Sequence, residues 1–187
     1  MKNFLLLSCL LAVTAPAGAT SYSNVEYGTA AGESLRLDAW VPDGPGPHAA
    51  AILVHGGGWT GGDKSGGPRQ ALIAPMQAPL EQAGVAWFSI NYRLAPKHPY
   101  PACLDDVLAA IRWIKSHAAE YRVDPERLAL AGESAGGHLV ELAAVKADAT
   151  AHVAAVVSFY GPSDLALGLK PGDPLRKNLA ALFGRTT

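Results

Sequence analysis

The sequence has few charged residues and almost no cysteine, and each shortage argues against particular classes of protein. Only 17% of its 187 residues are charged, and the formal net charge of -1 gives no support to a nucleic-acid or acidic-membrane partner. Two cysteines are too few for a disulfide-rich scaffold. What the chain does contain is 49% hydrophobic residues, 20 glycines and 14 prolines. This composition indicates one globular domain with a buried sheet and many turns.

The first 19 residues have the pattern of a secretory signal peptide. Lys2 gives a positive start, residues 4–13 are mostly apolar, and Ala-Gly-Ala at 17–19 is a small-residue cleavage site. The apolar run is shorter than the roughly 20 residues that cross a bilayer. We therefore predict cleavage after Ala19 and a secreted or periplasmic protein without a stable membrane anchor. Lipoprotein processing at Cys9 is an open alternative, although Cys9 lies inside the apolar run. Removal of the signal peptide after Ala19 would leave Cys103 alone, without a disulfide partner.

The pattern beyond residue 19 predicts an α/β fold. Two half-exposed strands are predicted at 23–27 and 34–41, and four continuous apolar runs predict strands covered on both faces, at 49–54, 85–90, 128–131 and 153–157. Helical patterns occupy 68–82, 104–118 and 134–146, with a short apolar helix near 179–183. Because strands and helices alternate, we expect a mostly parallel sheet with helices on both faces.

The sequence Gly-Glu-Ser-Ala-Gly at 132–136 matches the G-x-S-x-G pattern of a nucleophile elbow. It stands between a predicted strand and a predicted helix, which is the context that this motif requires. A sharp turn there needs small neighbours, Gly132 and Gly136, and lifts the hydroxyl of Ser134 above the sheet at a helix N-terminus. We interpret Ser134 as a nucleophile. The alternative is a glycine-rich turn shaped only for packing.

The sequence His-Gly-Gly-Gly-Trp at 55–59 directly follows the predicted strand 49–54. Three consecutive glycines cost chain entropy, and amides that must approach a substrate oxygen give a reason for them. The predicted oxyanion donors are the amides of Gly57, Gly58 and Ala135. We interpret His55, with Gly56, as structural, its ring holding the loop by hydrogen bonding. A flexible glycine turn is the alternative.

Other polar and aromatic residues near these motifs have less specific interpretations. We expect Asp63-Lys64 to be a solvated loop pair and His138 to be a packing residue of the helix that follows Ser134. Three aromatic residues are candidates for an acyl or aromatic pocket, with core packing as the open alternative for each: Trp59, Tyr92 and Tyr100.

Taken together, these motifs resemble the hormone-sensitive-lipase-type branch of the α/β hydrolases, and within it the bacterial feruloyl-esterase-like (BD-FAE) carboxylesterases. Further matching segments are Gly-Asp-Lys at 62–64, Asn-Tyr-Arg-Leu-Ala-Pro at 91–96 and Asp-Pro-Glu-Arg-Leu at 124–128. The resemblance covers about residues 49–164. It implies hydrolysis of carboxylic esters through an acyl-enzyme without metal or organic cofactor. Small-molecule or carbohydrate-linked feruloyl, acetyl and short acyl esters are all open as substrates.

The chain departs from this family pattern after Ser134. These hydrolases place the triad in the order serine, acid, histidine, but the later histidines are only His138 and His152, and none follows Asp164. We therefore expect an incomplete hydrolase fold with about six of eight strands, a cap or insert beginning near residue 161, and no triad acid or histidine. The alternative is an inactive remnant or a split hydrolase that needs a partner chain. Because the family's remaining strands are absent, we expect strand 153–159 to be an exposed edge that favours self-association.

Overall fold

Six strands and four helices form the described part of the chain, which in this computed structural model comprises residues 18–66, 72–166 and 172–185. The strands are β1 (Ala19–Ala30), β2 (Glu33–Pro42), β3 (His48–Val54), β4 (Ala86–Ile90), β5 (Val123–Glu133) and β6 (Ala155–Phe159). The helices are α1 (Ile73–Gln82), α2 (Ala102–Ser116), α3 (Ala135–Lys146) and α4 (Pro174–Leu182).

The strands form one sheet in the order β1-β2-β4-β3-β5-β6. Strands β4, β3, β5 and β6 are parallel to one another, whereas β2 is antiparallel to both β1 and β4. A parallel strand can follow another only through a crossover connection, and helices α1, α2 and α3 form the connections from β3 to β4, from β4 to β5 and from β5 to β6. The predicted α/β fold with a mostly parallel sheet is confirmed.

Helices cover the sheet on both faces because its central strands are apolar on both sides. Ile52 of β3 belongs to the larger buried cluster, to which α2 and α3 contribute most of the helical side chains. The next residue, Leu53, points the other way and packs with Ile73 and Met76 of α1 in a second cluster. This arrangement explains why β3 reads as a continuous apolar run.

Several element boundaries differ from the sequence prediction. Strand β1 begins at Ala19 instead of residue 23, and β5 begins at Val123 instead of residue 128. Helix α1 begins at Ile73, and part of the predicted helix 68–82 lies outside the described residues. Residues 1–17 of the predicted signal peptide also lie outside them. Helix α4 begins at Pro174, ahead of the predicted residue 179, because the Asp173 side chain accepts a hydrogen bond from the amide of Leu175 and caps the helix.

Strand β6 lies at one end of the described sheet and is poorly covered. Val157 is 46% exposed and Phe159 is 38% exposed, and Tyr160 follows them at 65%. The edge is therefore apolar, as the sequence suggests, while self-association through it stays a prediction. Within the described residues, no helix has the length and hydrophobicity needed to span a membrane.

Candidate active site

Ser134 lies at a strained turn between β5 and α3. Its backbone has φ 50° and ψ -117°, a left-handed conformation that non-glycine residues rarely adopt. A Cβ added at Gly132 would lie 2.5 Å from the carbonyl carbon of Gly136, so the turn closes only because residue 132 is glycine. We call residues 132–137 the elbow. Its geometry matches the motif that the sequence predicts.

The elbow packs directly against the end of β3. Val54 of β3 is the register partner of Gly132 of β5. A Cβ on Gly136 would collide with the carbonyl oxygen of Val54 and lie 2.5 Å from that of His55. The start of α3 therefore touches the segment that leads into Gly56, Gly57 and Gly58, and the two predicted motifs lie side by side.

Residues 55–66, which we call the oxyanion loop, turn sharply at their glycines. Gly57 has φ 102° and Gly58 has φ 60°, both in the region that favours glycine. The amides of Thr60 and Gly61 donate to the carbonyl oxygen of Gly57 and close the turn. In the ranges 18–66, 72–166 and 172–185, no hydrogen bond is donated by the amides of Gly57, Gly58 or Ala135. An acceptor on a bound molecule could use them.

His55 is buried beneath the loop, where burial lowers the pKa of its imidazole to about 4. Its Nδ1 lies 2.8 Å from the carbonyl oxygen of Gly56, and a neutral ring donates that bond. The ring stacks on Tyr92 at 4.3 Å, and the Tyr92 hydroxyl donates to the carbonyl oxygens of His55 at 3.0 Å and Gly56 at 3.2 Å. His55 therefore has the surroundings of a residue that supports the loop.

The expectation that Asp63-Lys64 is a solvated pair is wrong. Lys64 is only 7% exposed, and its ammonium donates to Asp38 of β2 at 2.8 Å. Its amide donates to Asn91 Oδ1 at 2.6 Å, and the Asn91 amide group donates to Asp63 Oδ2 at 3.1 Å. The hydroxyl of Ser89 in β4 donates to the Lys64 carbonyl oxygen at 2.6 Å. Sequence reasoning missed this network because its partners meet only through the sheet order.

A second buried ion pair fixes the segment that follows β4. Arg93 donates through Nε and Nη2 to both oxygens of Asp106, and its amide donates to Oδ2 at 2.8 Å. Asp106 is 1% exposed, and its buried carboxylate therefore forms charged hydrogen bonds to Arg93 in addition to its interaction with the dipole of α2. The pair holds Tyr92, one residue before Arg93, under the oxyanion loop.

The three candidate pocket aromatics differ in exposure. Trp59 is 1% exposed and Tyr92 is 4% exposed, values that favour the core-packing alternative for both, whereas Tyr100 is 36% exposed. The ring of His138 meets Trp59 edge-on at 5.3 Å, in agreement with the packing role predicted for this histidine. Burial also lowers the pKa of His138.

The later acidic and histidine candidates lie on the surface. His152 is exposed in the loop before β6, and Asp164 is exposed and accepts a hydrogen bond from the amide of Ala166 at 2.9 Å. Across the described ranges, no cluster of three or more histidine, cysteine, aspartate or glutamate side chains could hold a metal ion.

A strained serine after a central parallel strand, beside a glycine loop after the neighbouring strand, defines the class of the α/β hydrolases. The chain belongs within it to the BD-FAE family, whose profile matches residues 37–186.

Among known proteins, the carboxylesterase NlhH of Mycobacterium tuberculosis is 48% identical over 89 residues, which are 47% of this chain and 26% of NlhH. A truncated form of a carbohydrate esterase from gut microbiota superposes with a TM-score of 0.72 at 32% identity, covering 91% of this chain and 68% of that one. Esterase 2 of Thermogutta terrifontis phosphonylated by sarin superposes with a TM-score of 0.69 at 26% identity, covering 91% of this chain and 65% of that one. The chain thus spans about a quarter to a third of the first curated relatives that it matches.

Proposed function

We propose that Ser134 is the nucleophile of a secreted or periplasmic carboxylic-ester hydrolase that works through an acyl-enzyme. The observation that carries the proposal is the elbow, where Ser134 has a positive φ and Gly136 packs against the end of β3, which leads into the oxyanion loop. Carboxylesterase relatives and an esterase neighbour that reacts with an organophosphorus agent support the same chemistry.

In the proposed reaction, Oγ of Ser134 forms a bond to the ester carbonyl carbon. The negative charge moves to the carbonyl oxygen, where the amides of Gly57, Gly58 and Ala135 stabilise it. The carbon–oxygen bond to the alcohol then breaks, and the alcohol leaves with the proton from the serine. Water hydrolyses the acyl-enzyme, releases the acid and restores the serine hydroxyl. The structural neighbour named as a carbohydrate esterase supports acyl groups carried on sugars as the substrate class.

We propose that the chain as given lacks an efficient general base, because Ser134 has no recognisable triad acid and histidine after it. Loss of triad residues can lower turnover by ~10⁶ and leave ~10³–10⁴ over water. The isolated chain should therefore show no appreciable turnover of p-nitrophenyl acetate. Rapid hydrolysis that Ser134→Ala abolishes would show that a base is present.

The direct test is covalent labelling with a fluorophosphonate ester, followed by intact mass and peptide mapping. Ser116 is a matched comparison, because its hydroxyl lies 3.0 Å from Nδ1 of His117 without an elbow or glycine loop. We expect slow single labelling at Ser134 in the wild-type chain and in Ser116→Ala, and none in Ser134→Ala. Labelling that persists in Ser134→Ala, or that maps to Ser116, would contradict the proposal.

A split hydrolase or an inactive remnant is the second candidate, and the apolar edge of β6 is the surface with which a partner chain would pair. A partner chain that supplies an acid and a histidine would also cover this edge. The DNA downstream of the codon for Thr187 separates the two proposals. An in-frame strand followed by Asp and a later His favours the single-chain enzyme, and a stop without such a sequence favours the second candidate.

A further inference from the structure

The residue before the candidate nucleophile is a buried acid with a specific partner. Glu133 is 5% exposed, and the hydroxyl of Tyr160 donates to its Oε2 at 2.7 Å. A buried carboxylate is costly unless hydrogen bonds replace the water that it loses. The tyrosine hydroxyl supplies such a bond, and it reaches Glu133 from the end of a different strand.

Glu133 also touches the oxyanion loop. A Cβ placed on Gly56 would lie 3.4 Å from Cδ of Glu133 and 3.2 Å from its carbonyl oxygen. The side chain of Glu133 therefore lies against the first glycine of the loop that carries Gly57 and Gly58. The carboxyl group of Glu133 thus lies beside the oxyanion loop, and its backbone leads directly into Ser134 and the turn into α3.

Tyr160 holds an unusual position for its size. It follows β6 with φ 43°, a conformation rare for an aromatic residue, and the residue is 65% exposed although its hydroxyl donates to Glu133. The preceding carbonyl oxygen, of Phe159, accepts the amide of Ser134 at 2.9 Å. The hydrogen bond to Glu133 raises the pKa of the Tyr160 phenol, which keeps it a donor near neutral pH.

We infer that Tyr160 is a positioning residue for Ser134, because its hydroxyl holds the Glu133 carboxyl group against Gly56 and so fixes the elbow relative to the oxyanion loop. The inference rests on the proposed function. It deepens that function by giving β6, and not only β3 and β5, a part in arranging the reacting groups. It also gives a reason for glutamate rather than aspartate at position 133, because the side chain of glutamate is one methylene longer and reaches the tyrosine hydroxyl.

The first test compares the rate of fluorophosphonate labelling at Ser134 in the wild-type chain and in Tyr160→Phe. Small misplacements of reacting groups cost large factors in rate, so we expect labelling to slow by about tenfold. The melting temperature should change little because the tyrosine ring is mostly exposed. Tyr22→Phe, which removes a phenol hydroxyl near the opposite edge of the sheet, is the matched control and should label at the wild-type rate.

The second test asks whether Tyr160 acts through Glu133. Glu133→Met removes the acceptor at similar side-chain length, so adding Tyr160→Phe to it should change the labelling rate by less than about twofold. Glu133→Gln keeps an acceptor oxygen and should still lose rate when Tyr160→Phe is added. If Glu133→Met does not fold, Glu133→Asp, which withdraws the carboxylate by one methylene, takes its place with the same expectation.

Two results would overturn the inference: a wild-type labelling rate in Tyr160→Phe, or an equal loss of rate with and without the Glu133 acceptor. Absence of labelling at Ser134 in the wild-type chain would instead contradict the proposed function. The two failures are therefore distinguishable.

Discussion

The elbow and the oxyanion loop meet at the same end of the sheet, but different contacts hold them in place. In the elbow, backbone lies against backbone, and Gly136 contacts the carbonyl groups of Val54 and His55. The oxyanion loop is held by side chains, with Lys64 bonded to Asp38 and the Tyr92 hydroxyl bonded beneath His55. The oxyanion loop has one equally close backbone approach inside it, between Gly57 and Gly61, but side chains anchor it to the sheet. We therefore expect Gly136 to tolerate no added atom, whereas loss of the loop's anchoring contacts should lower stability in steps.

The largest effect should come from Gly136→Ala. The new Cβ would overlap backbone oxygens that cannot rotate away, so we expect a loss of ~4 kcal/mol or more in the free energy of unfolding. Urea denaturation measures this change. Gly61→Ala is the matched control, since its Cβ would meet only the Gly57 oxygen at 3.9 Å and should be nearly neutral. Equal stability of the two variants would remove the distinction between elbow and loop.

A smaller effect should follow from protonation of His55. Its folded-state pKa of about 4 is below the ordinary 6.5, because burial disfavours the cation. The unfolded chain therefore binds the proton more readily, and stability present above pH 6.5 is lost as the pH falls toward 4. Between pH 7 and 4.5 this group should cost ~2.5 kcal/mol.

The measurement for His55 is the free energy of unfolding at both pH values in the wild type and in His55→Phe, which keeps a ring beside Tyr92 without a titrating group. We expect the wild type to lose the larger amount. The same pH dependence in both proteins would show that His55 is not buried in its neutral form.

The smallest of these effects should come from Lys64→Met, which leaves Asp38 without its ammonium partner. Because the pair is mostly buried, we expect a loss of ~1–2 kcal/mol in the free energy of unfolding. Lys97→Met breaks an ion pair with Glu33 whose lysine is 74% exposed, so its effect should stay within ~0.5 kcal/mol. If both variants lose the same free energy of unfolding, the buried ion pair of Lys64 does not stabilise the oxyanion loop.

The pattern of neighbouring residues in the sequence was sufficient to predict the strand and helix that carry the candidate site. Strand β3 and helix α3 were predictable because apolar runs and helical periodicity are properties of neighbouring residues. The elbow was predictable because a strained serine turn demands small residues at fixed positions. Gly137 differs, since a Cβ there would lie 2.9 Å from Cα of Gly161, a residue distant in the sequence, and local pattern does not predict that contact.

Contacts between distant segments were not predictable from such patterns. Asp38 and Lys64 are separated by 26 positions and meet only because β2 lies beside β4. The bond between Tyr160 and Glu133 likewise depends on β6 pairing with β5. The predicted start of α4 was wrong for a different reason. Asp173 followed by Pro174 is an ordinary signal for a helix N-terminus, but the same two residues are equally typical of a turn.

The most direct test of the account follows the backbone amides of the ¹⁵N-labelled chain by NMR before and after phosphonylation of Ser134. If the adduct oxygen occupies the proposed site, the amide protons of Gly57, Gly58 and Ala135 should shift downfield together, and the same reagent should leave Ser134→Ala unchanged. An adduct confirmed by mass at Ser134 that leaves these three amides unshifted would contradict the account.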